Sequence, residues 1–341
     1  MYITFLGTSS GSPSRQRNVS ATALQQAGSK HWILVDCGEA TQHQLLRTAL
    51  SPLKLKAVLI THIHGDHCYG LPGLLASAQL SGRTEPLLII APAAIEQYLN
   101  AVISITQMQL NYEIRFIAVE SYCNDQSIAG FDIRVVALNH RVASYAYRFT
   151  ENNVPRRLRK ELLQQQGVPS GPEWGLLQKG RDVYLADGRL LRGNDYSEAA
   201  RSARSLIIAG DNDDPSLLKN AITECELLVH EATYTEAVLQ QVGEAPQHSS
   251  AARVAAFAQS VGLPHLILTH FSPRYQAGEP KRGNSIDEIR AEAAAIYTAD
   301  LQLANDFDCF WLKTDGELLC LDARAIKRNG GRADKEKATA K

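Results

Sequence analysis

Seven consecutive residues, Thr61-His62-Ile63-His64-Gly65-Asp66-His67, place three imidazoles and a carboxylate within six positions. Imidazole nitrogen and carboxylate oxygen are good ligands for zinc-class divalent ions. In an extended segment His62 and His64 point to the same side, because side chains repeat with period two. Gly65 lets the chain turn, so Asp66 and His67 offer a second set of donors. One ion cannot easily use all four at this spacing, and two adjacent ions are the natural reading. The plainer alternative is a polar loop with structural histidines. Four such residues in this order, straight after an apolar run, argue against it.

The elements that must hold such a site are legible as short apolar runs. Residues 2–6, 32–35, 57–60, 87–90, 133–138, 206–209, 227–229 and 266–268 read as buried strands. Helical patterns lie between some of them, at 70–79 and 249–261, and strands alternating with helices predict an α/β architecture. Four runs lead into a potential ligand or acid–base group: VLITH into His62, LIIAGD into Asp211, LLVHE into His230 and Glu231, and LILTH into His270. Ligands at strand ends are what a pocket at one rim of a sheet requires.

A chain of 341 residues can bury a sizeable core without disulfides. The opening MYITFLGTSSGSP lacks the pattern of a signal peptide, and no run approaches the length of a membrane span. Six cysteines without a CxxC pair suit free thiols in a reducing cytosol, so a cytoplasmic protein is expected. The net charge of −1 neither supports nor excludes a nucleic-acid partner, which needs a local basic face rather than a basic average.

Residues 151–204 differ from their surroundings. They contain Val154-Pro155, Gly167-Val168-Pro169, Ser170-Gly171-Pro172 and Asp187-Gly188, with ten basic residues against seven acidic ones. This stretch is predicted to be an insertion projecting from the core. Residues 324–341 carry seven basic and two acidic residues with almost nothing apolar, and are predicted to form a disordered tail.

HxHxDH after a strand resembles the signature of the metallo-β-lactamase superfamily. That resemblance implies an α/β fold of αββα sandwich type over residues 1–320. It also implies further ligands in order: His140, Asp211 as a carboxylate bridging both ions, and His270. One ion would be held by His62, His64, His140 and Asp211, the other by Asp66, His67, Asp211 and His270. Two Zn2+ per subunit are expected, with Mn2+ or Co2+ as substitutes. His31, His43 and His265 are read as ordinary structural or surface residues.

The superfamily serves many substrates, so the metal motif alone names none. Four further features resemble the ribonuclease Z (tRNA 3′ endonuclease) family, and the likeness runs to about Leu312. They are Phe5-Leu6-Gly7-Thr8-Ser9-Ser10-Gly11 with Pro13 and Arg17-Asn18; His230-Glu231-Ala232-Thr233 with His248-Ser249-Ser250; Thr269-His270-Phe271-Ser272-Pro273-Arg274-Tyr275; and the Gly/Pro-containing insertion. Asp36-Cys37-Gly38-Glu39 with Thr41-Gln42 also matches. The resemblance implies an endonuclease that removes 3′ trailers from precursor tRNA, acting as a homodimer without a membrane. It makes Asp66 the acceptor of the water's proton; His248 is the candidate to stabilise the phosphorane or to protonate the leaving oxygen, with Glu231 positioning it, and a surface ion pair is the structural alternative for that pair. It makes residues 151–204 a flexible arm that grips the tRNA elbow, with Gly167, Pro169, Gly171, Pro172 and Lys179 in it, and Arg274 a further substrate contact. Arg156, Arg157, Arg159, Lys160 and Arg181 are candidate phosphate partners. Two departures stand out: Gly210-Asp211-Asn212 where the family has Gly-Asp-Thr, and Ala146-Tyr147 where it has Gly-Tyr. The rivals are a same-fold hydrolase of small phosphodiesters or esters, and a non-catalytic RNA-binding protein.

Overall fold

The computed structural model describes residues 1–123, 127–278 and 283–322; the tail expected at 324–341 lies outside them. Contacts divide the chain into two compact units, one made of Met1–Phe149 with the residues from Ser205 onward, the other of Thr150–Arg204.

The larger unit is built on two sheets. The first has eight strands in the order Leu318–Asp322, Asp308–Leu312, Tyr2–Gly7, Ala21–Gln25, Trp32–Val35, Leu55–Leu59, Leu87–Ala91 and Ile114–Ala118. Pairing is antiparallel up to Trp32–Val35 and parallel beyond it. The second has six, in the order Asp300–Leu303, His265–Thr269, Leu227–Glu231, Ser205–Ala209, Ser144–Glu151 and Phe131–Leu138. Its first four strands are parallel.

Side chains alternate across each strand, and the cores follow that alternation. Ile3, Phe5, Leu24, Ile33 and Leu59 of the first sheet meet Ile133, Phe149, Leu206, Ile208, Val229 and Ile267 of the second in one buried cluster between the sheets. The intervening residues face outward onto helices. Leu34, Val58, Ile60 and Ile89 pack with Leu71, Leu74, Leu75 and Ala78 of the helix Leu71–Leu80. Ile207, Leu228, Leu266 and Leu268 pack with Val254, Ala255 and Ala258 of the helix Ala251–Ser260, and with Ile289 and Ala293 of Ile286–Ala294. The result is four layers, helix–sheet–sheet–helix, as the resemblance implied. Strands covered on both faces read as continuous apolar runs, which is why the parallel ones stood out. Burying each such Leu, Ile or Phe contributes roughly 1.5–3 kcal/mol.

The smaller unit is more ordered in itself than its Gly and Pro content suggests. Leu158, Leu163, Val168, Leu177, Val183, Leu191 and Tyr196 form a core of its own, with Trp174 packed against it. Gly167 has φ +67 with open space around it, and Pro172 opens the helix Pro172–Gln178, which ends on Lys179 as C-cap. The carboxylate of Glu151 takes bonds from both Arg201, at 2.7 and 2.9 Å, and Arg204, at 3.1 and 2.8 Å. Arg156 donates to Ser197 and Asn194, while Arg157 and Arg159 both pair with Glu198. Three of the candidate phosphate partners are therefore engaged within the unit.

Candidate metal centre

Strands in both sheets open onto loops at their C-terminal ends, and those loops carry the donors. His62 to His67 follow Leu55–Leu59 in the first sheet. His140, Asp211 and His270 follow Phe131–Leu138, Ser205–Ala209 and His265–Thr269 in the second. Gly210 permits the close approach of the two loops: a Cβ there would sit 2.6 Å from Thr61 Cβ and 2.8 Å from Ser144 Oγ.

The residues converge into two groups. In the first, His64 Nδ1 lies 3.1 Å from Nε2 of both His62 and His140. Asp211 Oδ2 is 3.6 Å from His62 Nε2 and 3.7 Å from His140 Nε2. In the second, His67 Nε2 and His270 Nε2 are 3.1 Å apart. Asp66 Oδ2 lies 3.5 and 3.3 Å from them, and Asp211 Oδ1 lies 3.5 and 3.4 Å from them. A tetrahedron with arms of about 2.0–2.1 Å, as for zinc on nitrogen or oxygen, has edges of roughly 3.3–3.4 Å. The separations, 3.1–3.7 Å in the first group and 3.1–3.5 Å in the second, bracket that size. Asp211 turns one oxygen to each, so it can bridge.

The chemistry of the donors fits a cation as well as their spacing does. His67 donates its Nδ1–H to Asp36 Oδ2 at 2.7 Å, and His140 donates its own to the Gln247 carbonyl at 2.8 Å. Either partner is an acceptor only, so the neutral form of each ring presents a bare Nε2 to the centre. His270 Nδ1 lies 3.2 Å from Thr233 Oγ1, whose proton is committed to Glu231 Oε2, so that ring too turns Nε2 inward. Lone pairs facing one another at about 3.1 Å repel unless a positive ion sits among them. Burial pushes the His62 and His64 pKa values down, reinforced by neighbouring imidazoles, which keeps these rings neutral with lone pairs open to a cation.

Asp36 belongs to a motif noted in the sequence, but its task at the centre was not assigned there. It is buried and also accepts from Thr61 N–H at 2.8 Å and Thr61 Oγ1 at 3.0 Å. It therefore ties the start of the histidine motif to His67. Asp36 and His270 both have left-handed φ, +60 and +58, a conformation that costs a non-glycine residue of order 1–3 kcal/mol and concentrates at functional sites.

Beside the metal groups lies the pair expected to handle protons. His248 donates Nδ1–H to Glu231 Oε1 at 2.9 Å and stands 3.7 Å from Asp211 Oδ2. Glu231 is 1% exposed, which removes the surface ion pair reading. Burial opposes the charged form of each, yet Glu231 raises the His248 pKa and His248 holds Glu231 low. Glu231 is fixed further by Asn212 N–H at 2.9 Å and by Thr233. Here the Asn212 departure finds its account. Its amide donates to His230 Nε2 at 3.1 Å while its oxygen accepts from Asn139 N–H at 3.2 Å, two tasks carried by two atoms that each lie one bond farther from the backbone than a threonine hydroxyl. Ala146 is buried in the core, and Tyr147 anchors the Ile60 carbonyl at 2.7 Å.

A cleft of about 460 Å³ opens over the centre, lined by Ser10, Gly11, His64, Asp66, Tyr69, Arg141, Asp211 and His248 among others. Arg141 and the exposed Tyr69 were not foreseen; the only sequence signal was their position beside His140 and His67. Arg274 stacks over the Tyr234 ring at 5.1 Å, and Tyr234 in turn meets His248 edge-on with ring centroids 6.0 Å apart. Lys179, Gly167, Pro169, Gly171 and Pro172 belong to the smaller unit.

Comparison with known proteins follows the same lines. A model of the Anti-Pycsar protein Apyc1 family matches residues 1–154. A ribonuclease Z of Marinobacter nauticus is 52% identical over 94% of this chain and 99% of its own. The chain belongs to the ribonuclease Z family. A ribonuclease Z of Pseudomonas putida (strain W619) is 49% identical over 93% of this chain and 98% of its own. Among solved structures, the short form of human tRNase Z (ELAC1) aligns with a TM-score of 0.61 at 23% identity, over 92% of this chain and all of that one. The metallo-β-lactamase fold protein YhfI from Bacillus subtilis aligns at 0.62 and 20%, over 91% of this chain and 98% of that one. These likenesses establish the fold expected from the histidine motif, and ribonuclease Z membership accounts for the motifs around it. Among the described residues, no helix is long and apolar enough to cross a membrane.

Proposed function

We propose that this ribonuclease Z family member is a metal-dependent endoribonuclease that removes 3′ trailers from precursor tRNA in the cytoplasm, using two Zn2+ per subunit, with Mn2+ or Co2+ as substitutes. The observation that carries the reading is Asp211 standing between two back-to-back donor groups, with the His248–Glu231 pair alongside. Bound there, two divalent ions lower the pKa of water and polarise the scissile phosphate. The chain's own residues do the rest. Asp66 takes the proton of the attacking water. His248 has its Nδ1–H committed to Glu231, so its Nε2 side serves the cleft, where it protonates the departing 3′ oxygen. Attack at phosphorus leaves a 3′-hydroxyl on the tRNA and a 5′-phosphate on the trailer. Arg274, oriented by Tyr234, and the smaller unit with Lys179 supply phosphate contacts that place the RNA. A homodimer, one subunit's arm presenting tRNA to its partner's centre, completes the proposal.

The test is cleavage of a 3′-extended tRNA transcript, mapped to the nucleotide, with and without chelator. A metal-dependent cut at or just past the discriminator base is expected. Metal-dependent hydrolysis of bis-p-nitrophenyl phosphate with no cut on tRNA would instead establish the small-substrate alternative.

A further inference from the structure

The loop joining Tyr2–Gly7 to Ala21–Gln25 reaches the metal centre at its tip, where the Gly11 N–H donates to Asp66 Oδ2 at 2.7 Å. This is a backbone group, so no side-chain replacement removes it, and its value depends wholly on where the loop holds it. The loop is closed at its base. Thr8 N–H and Ser9 N–H donate to the Asn18 carbonyl at 2.9 and 2.8 Å, and a Cβ on Gly7 would fall 1.7 Å from the Val19 carbonyl oxygen.

One carboxylate from a distant part of the chain gathers both ends of this loop. Asp306, in the turn between Asp300–Leu303 and Asp308–Leu312, accepts from Thr8 Oγ1 at 2.8 Å through Oδ1. Through Oδ2 it accepts from Asn18 N–H at 2.7 Å and from Gln44 Nε2 at 2.9 Å. Arg17 braces the same frame, donating to Thr8 Oγ1 at 2.7 Å, to the Ala304 carbonyl at 2.6 Å and to Asn305 Oδ1 at 2.8 Å. Its guanidinium also lies 4.8 Å from the Phe271 ring centroid. Phe271 N–H donates to the Thr8 carbonyl at 2.9 Å, and Ser10 N–H donates to the Phe271 carbonyl at 3.0 Å, so the frame also fixes the residue after His270.

We infer that Asp306 is a positioning residue for phosphodiester cleavage, holding the loop of residues 8–18 so that Gly11 N–H fixes the orientation of Asp66. The inference rests on the proton-accepting and ligating role proposed above for Asp66. Partners behind a metal ligand typically change affinity or activity 10–100-fold when lost.

Asp306→Ala removes the acceptor of all three donors. The kcat for 3′-extended tRNA and for bis-p-nitrophenyl phosphate should fall together by about tenfold or more, with the KM for tRNA within twofold of wild type. The visible ligand-field spectrum of the cobalt-loaded protein should also shift, because Asp66 is reoriented. A kcat within twofold on both substrates with an unchanged spectrum overturns the inference, whatever the melting temperature does. So does a raised KM for tRNA with normal hydrolysis of the small ester, which would make the loop an RNA contact. Thr8→Val and Thr8→Ser provide a milder pair: loss in the valine variant with recovery in the serine one is expected, and equal loss in both overturns it. Should wild type cleave neither substrate, the reading of Asp66 fails by itself, while the cobalt spectra still decide whether Asp306 positions it.

Discussion

Replacing Glu151 by glutamine removes one negative charge from a place where two guanidiniums converge. The carboxylate takes four bonds of 2.7–3.1 Å from Arg201 and Arg204, and Glu151 N–H donates to the Arg204 carbonyl at 2.9 Å. The two ends of the smaller unit are thereby joined. Burial works against the ionised carboxyl, but the two arginines overcome it and bring its pKa from an ordinary 4.5 down to about 2. That fall from 4.5 to about 2, at about 1.4 kcal/mol per tenfold change in proton affinity, is worth roughly 3.5 kcal/mol. Water screens the Arg201 side chain, which is 22% exposed, and about 2 kcal/mol is the better expectation. The pKa is depressed in the folded state, so this stability is present in full above about pH 4.5 and is lost as the pH falls toward about 2. Trp174 is the one tryptophan within residues 150–204, so its resonance in protein labelled with fluorotryptophan reports this unit alone. At pH 7, Glu151→Gln should lower the unfolding free energy read from that resonance in urea by about 2 kcal/mol. The gap between wild type and variant should shrink steadily below about pH 4.5. Coincident curves at pH 7, or a gap that persists undiminished to pH 3, would refute the reasoning.

His248→Ala should lower kcat on precursor tRNA by about 10²–10⁴-fold while KM and bound metal stay close to wild type, as measured by steady-state kinetics and atomic emission. Because Asp211 serves both donor groups, Asp211→Ala should reduce metal per chain by at least half after gel filtration; full retention would contradict the bridging role. Among the described residues, Lys179 and Arg181 make no ion pair, whereas Arg157 is held by Glu198. Lys179→Ala or Arg181→Ala should therefore weaken tRNA binding and flatten its salt dependence by about one unit of slope, and Arg157→Ala should not.

The donors after Leu55–Leu59, Ser205–Ala209 and His265–Thr269 were legible in the sequence because these buried parallel strands are apolar and end abruptly in polar loops; His140 follows a half-exposed strand and was reached through the resemblance. Other elements were not legible. Ser144–Glu151 and Asp300–Leu303 mix polar with apolar residues, as strands nearer a sheet edge do. The helix Ile286–Ala294 does carry a readable start, the capping box of Ser285 and Glu288, but its apolar face is too sparse to mark a period. The core of the smaller unit is spread over elements of two to seven residues, too short for any window to reveal. Asp36 could not be given its role because its partner His67 comes near only when Trp32–Val35 pairs beside Leu55–Leu59. Arg17 and Asn18 were visible as a motif, but Asp306, which explains them, lies 288 positions away from Asn18.

The donors are divided between the two sheets. Four follow one strand of the eight-stranded sheet, and three follow separate strands of the six-stranded one. Neither donor group is complete until the two layers have met at Gly210. A chain caught with one sheet formed holds at most fragments of a coordination shell. A full coordination shell therefore requires both sheets to be in place, and an ion held by all of its donors would report that the two layers have come together.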